Sequence, residues 1–134
     1  MNNNKSQSNK VTTYGPYSPI KTSGNLYFVS GQVGVDPISK KAPIGIKAQT
    51  EQVILNLKEV LATKNLSLDN VVKTTVYVTD MADFADMNKV YANYFDNVKP
   101  ARATVAVKEL PKVGADVDIV IEIDAVAYKG DQNE

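Results

Sequence analysis

The apolar positions of this chain change period several times, and each change marks a new element. Leu26-Tyr27-Phe28-Val29-Ser30 is aromatic and β-branched, which predicts a strand continuing through Gly31 toward Val35. Before it, Val11 to Ile20 reads as a short strand broken by Gly15-Pro16-Tyr17-Ser18-Pro19, since two prolines forbid central pairing throughout. Asp36-Pro37 and Pro43 mark a loop. From Ile46 the repeat becomes helical. Ile46, Thr50, Val53, Ile54, Leu57, Val60 and Leu61 fall on one face, with Lys47, Glu51, Lys58 and Glu59 left for solvent.

After a polar break at Asn65 to Asn70, Val71 to Val78 predicts a strand. Strict alternation puts Val72, Thr74, Val76 and Val78 on one side, and Val71, Lys73, Thr75, Tyr77 and Thr79 on the other. Asp80 is the expected N-cap of a second helix, with Asp83 in its first turn and Phe84, Met87, Tyr91, Tyr94 and Phe95 as its apolar stripe. Pro100 follows its end, and Ala103 to Val107 returns to strand. Leu110 to Gly114 makes a turn before a last strand from Val117 to Tyr128. That strand alternates Ile119, Ile121, Ile123 and Ala125 with Asp118, Val120, Glu122, Asp124 and Val126.

The order of elements predicts an α+β fold, a mixed sheet with two helices packed on one face. The chain reads as one domain over 11–134 behind a polar, flexible tail at 1–10. The uncovered sheet face is only half polar, which predicts a homo-oligomer.

Composition narrows the chemistry. Among 134 residues there is no histidine and no cysteine. That removes a Ser-His-Asp triad, a cysteine nucleophile, histidine-dependent RNA cleavage and an ordinary zinc site. With 15 basic and 15 acidic residues the net charge is zero, so no bulk field favours nucleic acid or an anionic membrane. No apolar run is long enough to span a bilayer, and the start lacks the apolar core of a signal peptide, so a cytoplasmic address is expected.

Among the remaining side chains Arg102 stands out, a planar fork suited to a carboxylate at the head of an alternating strand. Glu122 on a nearby strand could position water or move a proton. The two could equally form a structural ion pair. Ser30-Gly31 reads either as a bulge or as a place where a ligand nears the backbone while Ser30 donates a hydrogen bond. Asn88, beside the apolar stripe of the second helix, must be hydrogen-bonded to a loop or a ligand. Tyr17 packs, or walls a small-molecule pocket. Asp80, Asp83 and Asp86 are read as helix-dipole acids rather than metal ligands.

In their order and spacing these segments resemble the RidA family, also called YjgF or L-PSP. The resemblance runs from about Val11 to Tyr128. Its landmarks are Gly15-Pro16-Tyr17-Ser18-Pro19, Val29-Ser30-Gly31-Gln32, Asn56-Leu57, Val76-Tyr77-Val78-Thr79-Asp80, Met87-Asn88, Pro100-Ala101-Arg102 and Leu110-Pro111. It implies a chorismate-mutase-like fold, a homotrimer with pockets between subunits, and hydrolysis of 2-imino acids to 2-oxo acids and ammonia without cofactor or metal. By position, Arg102 would bind the substrate carboxylate and Glu122 would hold or activate water. Tyr17, Ser30, Gly31 and Asn88 would line the pocket. Thr104 stands where many members carry cysteine, and its backbone groups could still serve. The stretch from Gly114 to Glu122 looks a few residues longer than usual, so alignment from Leu110-Pro111 would choose Asp118 as the acid, on the same strand face as Glu122. Two other functions stay open, RNA cleavage with translation inhibition and non-enzymatic binding of a small carboxylate.

Overall fold

A computed structural model describes residues 11–130, so the tail expected at 1–10 lies outside the described residues. The elements are β1 (Ile20–Ser23), β2 (Leu26–Val33), α1 (Ile46–Ala62), β3 (Val71–Val78), α2 (Phe84–Phe95), β4 (Ala101–Ala106) and β5 (Ile121–Tyr128). They form one five-stranded sheet in the order β1-β2-β5-β3-β4. β5 lies antiparallel between β2 and β3, and β4 lies parallel to β3. β2 and β3 therefore run the same way, and each helix is a crossover between two parallel strands. Crossovers of one hand place both helices on one face. The expected α+β layering is what the chain adopts.

α1 buries every apolar position that its period singled out. Ile54, Leu57 and Leu61 are wholly enclosed against Val76, Ile121 and Ile123 of the sheet. Burial of each such side chain stabilises the fold by about 1.5–3 kcal/mol. α2 buries Met87, Val90, Tyr91 and Phe95. Asp80 caps a short 3₁₀ turn, Met81–Asp83, accepting from the Ala82 N–H at 2.9 Å, and the α-helix begins only at Phe84.

Three local readings are corrected. The strand expected over Val11 to Ile20 is irregular up to Pro19, and β1 follows the prolines instead. A two-residue turn at Gly24-Asn25, with φ +59° at Gly24, joins β1 to β2. The last strand begins at Ile121 rather than Val117. In β3 the pairing register shifts between Val71 and Lys73, so Val71 turns into the core and Val72 out to solvent, the reverse of simple alternation.

Away from the helices the sheet face is bare. Phe28 and Val126 pair there, next to Thr75, Tyr77 and Asp124. Val105 and Ala103 of β4 extend it. Among the described residues no helix is long and apolar enough to cross a membrane.

Candidate functional site

The sequence-predicted residues gather into two groups on opposite faces of the sheet. In register, Arg102 lies beside Thr74 and Thr104 beside Val76, and both of these β3 residues point into the core. Arg102 therefore lies on the helix side. Its guanidinium carbon stands 4.8 Å from the centre of the Tyr91 ring and 5.7 Å from that of Phe84. Stacking of this kind fixes a cation's plane while leaving its N–H edge available. Tyr91 is itself held, since its hydroxyl meets the buried Thr74 hydroxyl at 2.7 Å. Arg102 and Asn88 share the lining of a recess of about 360 Å³ with Tyr91, Phe95 and Pro100.

Two polar atoms in this region are buried with no partner among the described residues, Asn88 Oδ1 and Thr104 Oγ1. Thr104's side chain does not line the recess. Its backbone is another matter. The Val107 N–H donates to the Val78 carbonyl, which by two-residue alternation turns the odd-numbered residues of β4 toward β3. The N–H and C=O groups of Arg102 and Thr104 then face outward from the open edge strand.

The second group is built around Glu122, opposite Tyr77 on β3 and Val33 on β2. Register on β2 slips between Val29 and Gln32, so Ser30 and Gly31 together oppose Asp124. The Gly-rich stretch is thus a bulge, and it also permits a close approach. A Cβ at Gly31 would stand 2.2 Å from Glu122 Oε2 and 2.7 Å from its carboxyl carbon. Only glycine leaves room for the carboxyl there.

Ser30 borders the recess around Glu122, and its own hydrogen bonds organise that recess. Its hydroxyl donates to the Ser18 carbonyl at 2.7 Å and its N–H to the Pro19 carbonyl at 3.0 Å. These bonds hold the Gly15–Pro19 segment against β2 and bring Tyr17 beside Glu122. The Tyr14 N–H donates to Tyr17 Oη at 3.1 Å, leaving that phenol's own proton free. Tyr14, Tyr17, Gly31, Pro111 and Glu122 line a recess of about 350 Å³. Burial raises the Glu122 carboxyl above the usual 4.5, and the neighbouring Asp124 carboxylate adds to that.

Glu122 and Arg102 point to opposite sides of one sheet, with β3 between their strands. The structural ion pair is therefore absent. Among the described residues the sole ion pair is the exposed Lys99–Asp96, at 2.8 Å. Asp118 is also separated from Glu122. It precedes β5 in an irregular, exposed stretch and lines a different recess, of about 370 Å³, beneath residues 108–120. Glu122 is the acid that lies over Gly31.

Sequence reasoning missed two organisers, Gln49 and Asn56. Gln49 Nε2 donates to the Pro43 and Asp118 carbonyls, and its Oε1 accepts from the Val120 N–H. Asn56 Nδ2 donates to the Val33 and Val35 carbonyls, both at 2.9 Å. They hold the entry to β5 and the exit of β2, the two backbones that flank Glu122. Their signal was present as two amides seven residues apart, flush with the apolar face of α1.

Residues 7–129 match the family model described as Endoribonuclease L-PSP. The chain belongs to the L-PSP (RidA/YjgF) family. A RutC family protein of Pyrococcus horikoshii is 49% identical over 116 residues, covering 86% of this chain and 88% of the relative. L-PSP-type folds recur among the solved structures that it resembles. RidA from an Antarctic Psychrobacter is 38% identical with a TM-score of 0.83, covering 90% of this chain and 95% of that one. E. coli TdcF, solved with bound serine, is 32% identical with a TM-score of 0.82, covering 91% and 95%.

Proposed function

We propose that this protein is an imine deaminase that hydrolyses 2-imino acids, such as 2-iminobutanoate and 2-iminopropanoate, to 2-oxo acids and ammonia. The site is assembled between copies of a homotrimer. The observation that carries this reading is the placement of Arg102 and Glu122 on opposite faces of one sheet. A single copy cannot apply both to one small ligand, whereas an adjoining copy can present its Glu122 to the first copy's Arg102. The half-apolar bare face around Phe28, Val105 and Val126 supplies a surface for that contact. The serine bound to TdcF, a small amino acid with a free carboxylate, is in keeping with this ligand class.

In this mechanism Arg102 grips the substrate carboxylate through two parallel N–H···O bonds, aided by the outward backbone N–H groups of β4. Asn88 borders the bound acid. The imine carbon is already electrophilic, so catalysis is mainly orientation and proton transfer. Glu122 takes a proton from water as the water oxygen bonds to the imine carbon. That proton passes to the nitrogen, giving a carbinolamine; its hydroxyl proton is then transferred to the nitrogen as the C–N bond breaks and the C=O forms, so ammonia leaves with the 2-oxo acid behind. A carboxyl of raised proton affinity serves that exchange better than an ordinary one. Tyr17 offers a free hydroxyl proton on the same side.

Coupling the protein to a threonine dehydratase and following semicarbazone formation tests the activity. The protein shortens the imine lifetime and Arg102→Ala abolishes that effect. Mixing refolded Arg102→Ala and Glu122→Gln copies restores activity, because about a quarter of sites then combine two intact halves. Unchanged imine lifetime with the unaltered protein rejects the reading, and failure of mixing to restore activity rejects the shared site. A nuclease reading has only names behind it, that of the family model and those of similar solved structures in which the word endoribonuclease recurs, with no imidazole and no net positive charge to carry the chemistry.

A further inference from the structure

Glu122 is not the only carboxyl on its side of β5. Asp124 lies two residues along, so both side chains leave the same face about 7 Å apart along the strand. Across that face runs β3, where Tyr77 stands opposite Glu122 and Thr75 opposite Asp124. Tyr77 does not stay with its own partner. Its hydroxyl reaches diagonally and donates to Asp124 Oδ2 at 3.0 Å. On the other flank, the Ser30–Gly31 bulge opposes Asp124, and Gly31 lies under the Glu122 carboxyl. Glu122 is thus confined between a glycine backbone and a second, anchored acid.

We propose that Asp124, held in place by Tyr77, is a positioning residue of the site that acts through Glu122. This inference rests on the imine-deaminase reading for its catalytic consequence, though not for its electrostatics. Two carboxylates on one strand face resist joint ionisation, and Tyr77 keeps Asp124 from rotating away. Burial penalises a charge on Glu122, and the Asp124 carboxylate beside it adds to that penalty. Glu122 then holds its proton more readily. The phenol shows the same coupling, since burial and then the bond to Asp124 push Tyr77 upward. The groups facing Glu122 are Asp124 on its own strand, Tyr77 on β3, and Tyr14 and Tyr17 from the segment before β1, while Lys73 of β3 donates to Thr75 Oγ1 at 3.1 Å on the Asp124 side of the pair. β2 presents no charged group there, and in the assembled site the adjoining copy's Arg102 completes the set.

The test is a side-chain carboxyl NMR titration of Glu122 in the full-length protein and in Asp124→Asn. The Glu122 midpoint falls in the variant, by about half a pH unit. In the coupled imine assay the acid limb of the kcat/KM profile moves down with it, while KM for the imine is unchanged. Tyr77→Phe, which keeps the charge but frees its position, lowers the midpoint less than Asp124→Asn does. Asp124→Ser serves as the second variant if the asparagine side chain disturbs assembly. An unmoved Glu122 midpoint in both Asp124 variants overturns the proposal. A shifted midpoint in a protein that turns over no imine leaves the proposal standing and rejects the deaminase reading instead.

Discussion

The two faces of this sheet are made from the same strands and obey different rules. On the helix side, Val76, Ile121 and Ile123 are fully enclosed by α1 and α2. Among the described residues, that side's one guanidinium is stacked between aromatic rings. On the bare side, the intervening residues of β3 and β5 are Lys73, Thr75, Tyr77, Glu122, Asp124 and Val126, half-buried and mixed in polarity, too polar for a core and too enclosed for an ordinary surface. The covered face makes the fold stable. The bare face is the surface that the proposed assembly shares, and each face carries one half of the candidate chemistry.

Removing a side chain three residues away, on the opposite face, separates these roles. Ile123→Ala leaves a cavity in a closed core and lowers unfolding stability by about 2–5 kcal/mol in a denaturant titration. Val126→Asp, on the bare face, leaves helical content intact but shifts sedimentation from oligomer to monomer and abolishes imine turnover. Loss of the native circular dichroism spectrum in Val126→Asp would show that the bare face is also needed for folding.

Arg102→Lys tests whether the stacked fork matters beyond its charge. Lysine keeps one positive charge but loses the planar pair of donors and the seat between Tyr91 and Phe84. KM rises about tenfold to a hundredfold while the melting temperature stays within a few degrees, because no ion pair among the described residues is broken. A smaller effect comes from Gly31→Ala. Its Cβ must displace the Glu122 carboxyl, so kcat falls about tenfold while Arg102-dependent carboxylate binding, read by calorimetry with 2-oxobutanoate, is retained. Equal losses in kcat and binding would erase the division of labour between the faces.

Much of the covered face was legible because its period is carried by many residues at once. Seven positions on α1 agree on one stripe, and no single exception can hide it. The bare face was less readable because single-residue irregularities decide it. One extra residue at Val71–Lys73 and another at Ser30–Gly31 reverse the facing of everything beyond them, and neither bulge has a periodic signature. β1 was missed because Ile20-Lys21-Thr22-Ser23 is an edge strand with one buried residue, too little alternation to register. Arg102 and Glu122 could be singled out, but parity within a strand cannot compare faces between strands. Only the pairings Thr74↔Arg102 and Tyr77↔Glu122 do that. Ala101-Arg102-Ala103 even misleads, since at this edge the alanines are exposed and the arginine turns inward onto Tyr91.

The smallest expected effect separates catalysis from folding at Glu122 itself. Its folded carboxyl binds a proton more tightly than the same group in the unfolded chain, chiefly because burial penalises the charge. Between the unfolded and folded values the native state carries more protons, so stability falls as pH rises through that window. The contribution is fully present below the unfolded value of 4.5 and is lost above the folded one. Glu122→Gln has no charge to bury. It should therefore match the parent protein near pH 3.5 and melt about one or two degrees higher at pH 7.5, while its imine turnover is strongly reduced. Scanning calorimetry at the two pH values reads the difference directly. A variant that is less stable at pH 7.5 would mean that the ionised carboxylate has a partner in the assembled protein that offsets its burial, with the adjoining copy's Arg102 the first to examine by double-mutant cycle.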